Sequence, residues 1–192
     1  MSGATFLYDV GSPWCWLAGE RVTHVLGVVP VWQPVLASGL PDGKLGGVDR
    51  AAVDAAAARQ GLPPPRWPET WPFDSELAMR AATFAKQSGR AVAFSLAAMR
   101  QAFAGGRDLS VPENVLIAAA ACELHPRAVL KGVETATVRE ALDEATASAA
   151  AAGVRELPAI VIDGRVFSGR SAVEDAAGPP LARPVRARSS RE

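Results

Sequence analysis

The sequence predicts an α/β protein in which a mixed four-stranded sheet carries a large all-helical insertion. Three observations predict this fold class. The chain opens as strand, helix, strand within residues 5–35; an Ala-rich helical block fills residues 74–153; and a β-hairpin and a short helix follow at 158–177. Two strands joined through a helix form a parallel pair, whereas a hairpin adds antiparallel strands.

The first strand and helix meet at a junction that carries reactive residue types. Thr5–Tyr8 is an apolar, aromatic strand, and Ser12 is a favoured helix N-cap. Pro13 suits the first helical position, and apolar spacing continues the helix to Gly27. The sequence therefore predicts one helix from Pro13 to Leu26.

Residues 28–35 predict a second strand, and its two prolines favour an edge of the sheet. A loop follows, then a short helix over 49–60. The Pro-rich stretch 61–74 contains Trp67 and Trp71. These aromatic residues form either a lid over a substrate pocket or a hydrophobic plug that anchors a long connection.

The order of elements predicts the domain organisation. Residues 1–37 and 154–178 would form one discontinuous domain, with residues 38–153 as the helical insertion. The polar, Arg- and Pro-rich tail at 179–192 is predicted to be disordered.

Composition excludes several classes of protein. The 20 basic and 20 acidic residues of the 192 balance, which argues against nucleic-acid binding. No apolar run is long enough to span a membrane, and no secretory signal is visible, so we expect a cytoplasmic protein. The only cysteines, Cys15 and Cys122, form no disulfide framework. We expect no metal site, because the two histidines lack a neighbouring ligand cluster.

Ser12 and Cys15 have the spacing of a redox Cys-x-x-Cys motif whose first cysteine is replaced by serine. A helix N-terminus stabilises a thiolate, and a serine hydroxyl can donate a hydrogen bond to a thiolate that a substrate brings. The alternative is that Ser12 is an ordinary helix cap and Cys15 a small core residue.

Three segments together resemble the DsbA-like branch of the thioredoxin superfamily: Phe6–Leu17, Pro34–Gly39 and Ala152–Gly164. Within that branch the chain looks most like the group of 2-hydroxychromene-2-carboxylate isomerases and kappa-class glutathione transferases. The resemblance covers residues 4–177 and implies a thioredoxin-like fold with a helical insertion.

The resemblance also implies site residues. Ser12 matches the serine that hydrogen-bonds the glutathione sulfur, and Pro158 matches the family's cis-proline. Leu157 would then offer its main chain to the cosubstrate. The segment that holds the γ-glutamyl end corresponds to four residues: Ser168, Gly169, Arg170 and Ser171.

This last segment departs from the family pattern, which usually has an aspartate facing the glutathione ammonium. Arg170 and Ser171 stand there instead. A cation beside an ammonium is unfavourable, so the expected cosubstrate is glutathione or another low-molecular-weight thiol. The family also often forms homodimers, which makes a homodimer possible here.

The leading functional hypothesis is a thiol-dependent isomerase or transferase that acts on an aromatic or conjugated small molecule. Ser12 would hold the thiolate, and Trp14, Trp67 and Trp71 would form apolar walls of the substrate pocket. One alternative is a monothiol disulfide oxidoreductase that uses Cys15 as its catalytic thiol. The other is a thioredoxin-like protein that binds a ligand or a partner without catalysis.

Overall fold

The computed structural model describes residues 3–178. The predicted disordered tail, residues 179–192, lies outside the described residues. Within the described part, four strands form one sheet in the order β2-β1-β3-β4. Their bounds are Thr5–Tyr8 for β1, Val31–Pro34 for β2, Ala159–Ile162 for β3 and Arg165–Ser168 for β4.

The sheet is mixed, as predicted. β1 pairs in parallel with β2 and antiparallel with β3, which in turn pairs antiparallel with β4. β2 lies at the edge of the sheet, where its terminal Pro34 is tolerated, and it begins at Val31 rather than at residue 28. β1 is central, so the loop that leaves it at Tyr8 opens at the middle of the sheet.

Helices pack around this sheet, and six of them lie between β2 and β3 in the chain. The helices of the described residues are α1 (Pro13–Gly19), α2 (Val22–Leu26), α3 (Arg50–Arg59), α4 (Glu76–Gln87), α5 (Ala91–Phe103), α6 (Pro112–Ala120), α7 (Pro126–Val133), α8 (Ala136–Ala151) and α9 (Ala172–Ala177). The predicted α/β fold class with a large helical insertion is therefore confirmed.

The prediction of one continuous helix from Pro13 to Leu26 is wrong. α1 ends at Gly19, and Arg21 has the non-helical angles φ −132° and ψ −9°. Contacts distant in sequence accompany the break. Glu20 accepts two hydrogen bonds from Arg100, and Arg21 pairs with Glu174 of α9. The local apolar period does not reveal these contacts.

An aromatic cluster joins the sheet to the helices. Phe6 and Tyr8 lie on one face of β1 and pack against Trp32 of β2, with ring centroids 4.8 Å and 5.3 Å from the indole. The Tyr8 hydroxyl is 2.6 Å from the Ser95 hydroxyl of α5, so the only polar atom of this ring has a partner. The cluster fixes the end of β1 from which the candidate site departs.

Candidate active site at the start of α1

Ser12 caps the first helix at the carboxyl end of β1. Its backbone is extended, and its Oγ accepts a hydrogen bond from the Cys15 N–H at 3.3 Å. A serine hydroxyl carries one hydrogen and two lone pairs, so accepting this bond leaves the hydrogen available to donate. The Trp14 N–H lies in the same first turn and has no acceptor within the helix. The start of α1, which we call the Ser12 corner, therefore has two donors for an anion: the Ser12 hydroxyl and the Trp14 N–H.

The buried carboxylate of Asp9 stabilises the loop that leads to Ser12. It is fully buried and accepts hydrogen bonds from the Gly11 N–H at 2.8 Å, the Ala37 N–H at 3.0 Å and the Ser75 hydroxyl at 2.9 Å. The Asp9 carbonyl accepts a further bond from the Ser12 N–H at 3.1 Å. Burial raises the pKa of Asp9, although the three donors partly offset this effect. Asp9 thus ties the Ser12 loop to two other segments.

Cys15 points away from solvent. Its side chain is 0% exposed, and its Sγ accepts a hydrogen bond from the Asp9 N–H at 3.5 Å. Burial raises the pKa of the Cys15 thiol to about 12, and the hydrogen bond that its sulfur accepts from the Asp9 N–H offsets only part of this effect. A thiol in this position is neither ionised nor accessible at neutral pH. The structure therefore does not support Cys15 as a catalytic thiol and places it in the core.

The loop before β3 faces the corner with a cis peptide bond between Leu157 and Pro158. The Pro158 carbonyl accepts a hydrogen bond from the Gly169 N–H at 2.9 Å, which joins this loop to the end of β4. Gly169 has φ +89°, and a Cβ built there would lie 2.6 Å from the Glu156 carboxylate. Gly169 therefore allows Glu156 to lie close against the backbone beside the cis-proline.

A cleft of about 320 Å³ opens between these segments. Four residues singled out from the sequence line it together: Ser12, Trp14, Leu157 and Arg170. Ser12 as a residue is only 6% exposed, so it lies at the floor of the cleft rather than on the open surface. We call this space the Ser12 cleft.

The other residues of the predicted γ-glutamyl segment lie beside the Ser12 cleft rather than in it. Ser168 and Ser171 line two neighbouring cavities. The Ser168 Oγ is buried and has no hydrogen-bond partner among residues 3–178. Gly169 contributes its N–H to Pro158 and is buried. Of this segment, Arg170 alone lines the Ser12 cleft.

Trp67 and Trp71 do not line the Ser12 cleft. Their rings pack edge to face at 4.8 Å, and Trp67 also contacts Phe103 of α5. The Trp71 Nε1–H donates to the Gly11 carbonyl at 3.1 Å. Of the two readings of this loop, the structure matches the anchoring plug, and only Trp14 of the three predicted pocket residues forms a wall of the cleft.

Two parts of the cleft are not predicted by the sequence motifs. Its outer wall is the Gly-rich loop 42–49, which contributes Lys44, and its rim includes Glu156. The run of glycines at 43, 46 and 47 signals a loop of unusual backbone. Gly43 approaches so closely that a Cβ would lie 1.9 Å from the Ala37 carbonyl oxygen. Nothing in the run itself indicates which site the loop covers.

Two further findings concern residues 3–178 as a whole. No group of three or more metal-ligating His, Cys, Asp or Glu side chains occurs among them. None of their helices combines the length and the apolar character needed to cross a membrane.

Solved structures with the same architecture include isomerases and oxidoreductases. A 2-hydroxychromene-2-carboxylate isomerase matches with a TM-score of 0.76 and 14% identity, covering 90% of this chain and 91% of that one. A "probable DsbA oxidoreductase" from Streptomyces coelicolor matches with a TM-score of 0.74 and 21% identity, covering 92% and 87%. The cytosolic disulfide reductase DsbM from Pseudomonas aeruginosa, solved with GSH, has a TM-score of 0.63 and 18% identity, covering 91% and 95%.

At these identities the likeness shows the fold, and no curated protein matches the sequence significantly. The family model described as the DSBA-like thioredoxin domain matches residues 5–178, which is almost all of the chain. The chain therefore belongs to the DSBA-like thioredoxin domain family, as its motifs predict.

Proposed function

We propose that the protein is a thiol-dependent isomerase or transferase that acts on an aromatic or conjugated small molecule. The observation that carries the proposal is the position of Ser12. Its hydroxyl accepts one hydrogen bond and can still donate one, and Ser12 lines the cleft together with Leu157, the residue before the cis-proline. Glutathione or another low-molecular-weight thiol would lie along the Leu157 main chain, with its sulfur against the Ser12 Oγ.

The chemistry requires little of the protein beyond holding a thiolate. The sulfur adds to a conjugated carbon, and its electron pair forms the C–S bond while the double-bond electrons move to the carbonyl oxygen. Rotation about the resulting single bond changes the geometry. The electrons then return, the C–S bond breaks, and the thiolate is released unchanged. This is nucleophilic catalysis in which the cosubstrate supplies the nucleophile.

The burial of Cys15 favours this proposal over a monothiol oxidoreductase. An oxidoreductase needs an accessible thiolate of its own, and the Cys15 thiol is fully buried with a raised pKa. A thiol that the cosubstrate supplies avoids the need for an accessible thiolate in the protein. The DsbM structure with GSH is a family precedent for a tripeptide thiol in this fold.

Titration calorimetry with glutathione, together with a thiol-conjugation assay, tests the proposal. Ser12→Ala removes both the cap and the hydrogen bond to the thiolate, and it should weaken thiol binding about ten- to hundred-fold. Ser12→Thr retains a hydroxyl and is the matched control. If glutathione and cysteine both fail to bind wild-type protein at millimolar concentration, the proposal is wrong. If Ser12→Ala keeps full turnover, Ser12 has no such role.

A further inference from the structure

A separate cavity lies on the other face of the sheet. Phe6 and Tyr8 pack against Trp32 on one face, so Thr5 and Leu7, which alternate with them along β1, point to the opposite face. Between that face and the helices α4 and α8 there is a space of about 440 Å³, which we call the α8 cavity. Within residues 3–178 it shares no lining residue with the Ser12 cleft.

Small side chains on α8 leave this space open. Ala141, Ala145 and Ala149 recur at intervals of four along the helix and lie on one face of it. Leu7 and Val161 of the sheet lie across from them in the lining. No aromatic side chain lines the cavity among the described residues, so the lining suits an aliphatic chain better than a ring that would stack on a neighbour.

Lys86 of α4 adds a cation to this largely apolar lining. The residue is half-buried, and its Nζ donates a hydrogen bond to the Oε1 of Gln33, a side chain that lines the same cavity. An ammonium group has three N–H donors, so two remain. Lys86 forms no ion pair with any carboxylate of residues 3–178. Burial lowers the pKa of Lys86, as expected for a cation without a counter-ion.

Glu144 of α8 is the other charged residue of the lining. It is exposed and forms no ion pair with Lys86, so its carboxylate is solvated and its charge is screened. The less solvated charge acts more strongly on a ligand inside the cavity, and that charge is the ammonium of Lys86.

We propose that the α8 cavity binds a straight-chain carboxylate, that is, a fatty acid of medium chain length. The carboxylate would pair with the Lys86 ammonium, and the tail would lie between Leu7 and the alanines of α8. A water molecule takes about 30 Å³ of liquid, so a cavity of about 440 Å³ has room for a chain of the size of octanoate. The inference goes beyond the proposed function and does not depend on it, because Ser12 does not line this cavity.

Three probes with the same chain test the inference by titration calorimetry: octanoate, octan-1-ol and octylamine. Wild-type protein should bind octanoate about ten-fold more tightly than octan-1-ol, and octylamine most weakly. Hexanoate should bind about ten-fold more weakly than octanoate, because it places less apolar surface in the cavity. Equal affinity for octanoate and octan-1-ol, or tighter binding of octylamine, would overturn the inference.

Lys86→Gln is the informative variant, because it removes the charge and retains a hydrogen-bond donor. Its affinity for octanoate should fall about ten-fold, and its affinity for octan-1-ol should be unchanged. Lys131→Gln, on the exposed surface of α7, is the matched control and should bind octanoate as wild type does. Wild-type affinity for octanoate in Lys86→Gln would contradict the inference.

A second variant tests the cavity rather than the charge. Ala145 lines the cavity and is half-buried, so Ala145→Leu should fill part of the space and weaken octanoate and octan-1-ol alike. Circular dichroism establishes that the variant is folded, and unchanged octanoate affinity in the folded variant would overturn the inference. Ser12→Ala should bind octanoate as wild type does. Loss of octanoate binding in Ser12→Ala would place the ligand in the Ser12 cleft and contradict a site at the α8 cavity.

Discussion

Replacing Asp9 by alanine should destabilise the whole fold, although Asp9 does not line the Ser12 cleft. The Asp9 carboxylate is the acceptor for three buried donors: the Gly11 N–H, the Ala37 N–H and the Ser75 hydroxyl. Alanine leaves these donors without an acceptor, in positions that water does not reach. The perturbation thus acts on the connection between the β1–α1 loop, the segment after β2 and the start of α4.

The magnitude follows from the number of donors. An unsatisfied buried donor costs about 1–3 kcal/mol. The Ser75 hydroxyl can rotate, so the two backbone N–H groups of Gly11 and Ala37 set the cost, and removing a desolvated carboxylate recovers part of it. We expect Asp9→Ala to lower the free energy of unfolding by about 2–4 kcal/mol. For a chain of this length that corresponds to a fall in Tm of about 4–16 °C.

Urea unfolding followed by fluorescence and circular dichroism measures this loss. Asp74→Ala is the matched control: Asp74 is exposed and accepts one bond, from the Glu76 N–H at 2.9 Å. It should cost no more than about 1 kcal/mol. If Asp9→Ala lies within about 0.5 kcal/mol of wild type, the three bonds do not hold the corner, and the account of the site is wrong.

Other predictions concern pH, reactivity and the aromatic loop. Burial raises the pKa of Asp9. The folded protein therefore keeps the carboxyl proton at pH values above about 4, at which the unfolded chain has lost it. The stability of wild type relative to Asp9→Asn should therefore fall as the pH rises from about 4 through the folded pKa; a rise over that window in urea unfolding would contradict the shift. In a Cys122→Ser background, iodoacetamide should alkylate Cys15 at least about 100-fold more slowly in native than in unfolded protein; equal rates would show an accessible thiol. Trp71→Phe removes the indole bond to Gly11 and should cost about 0.5–1.5 kcal/mol in thermal unfolding, whereas unchanged stability would mean that the bond is absent.

Turns and helix ends that are determined by neighbouring residues in the chain could be predicted from the sequence. The Asp163-Gly164 pair indicates a tight hairpin turn, and both residues have positive φ, 49° and 76°. The short helix predicted over residues 49–60 is α3, which Asp49 caps by accepting a hydrogen bond from the Ala52 N–H. The break between α1 and α2 could not be predicted, because Glu20 and Arg21 pair with residues 80 and 153 positions away.

The candidate site was predictable only in part, for a similar reason. Ser12 and Pro158 lie in motifs that can be read locally, and the structure places the cis-proline loop and Ser12 at one cleft. The direction of the Cys15 side chain depends on the packing of α1 on β1, which the spacing from Ser12 does not reveal. Likewise, Lys44 and Glu156 reach the Ser12 cleft from separate loops.

A crystal structure of the wild-type protein with glutathione bound would test the central claim most directly. We predict the sulfur within hydrogen-bond distance of the Ser12 Oγ, the cysteine main chain of glutathione paired with Leu157, and Cys15 unmodified in the core. A sulfur bound away from Ser12, or joined to Cys15 in a mixed disulfide, would contradict the account.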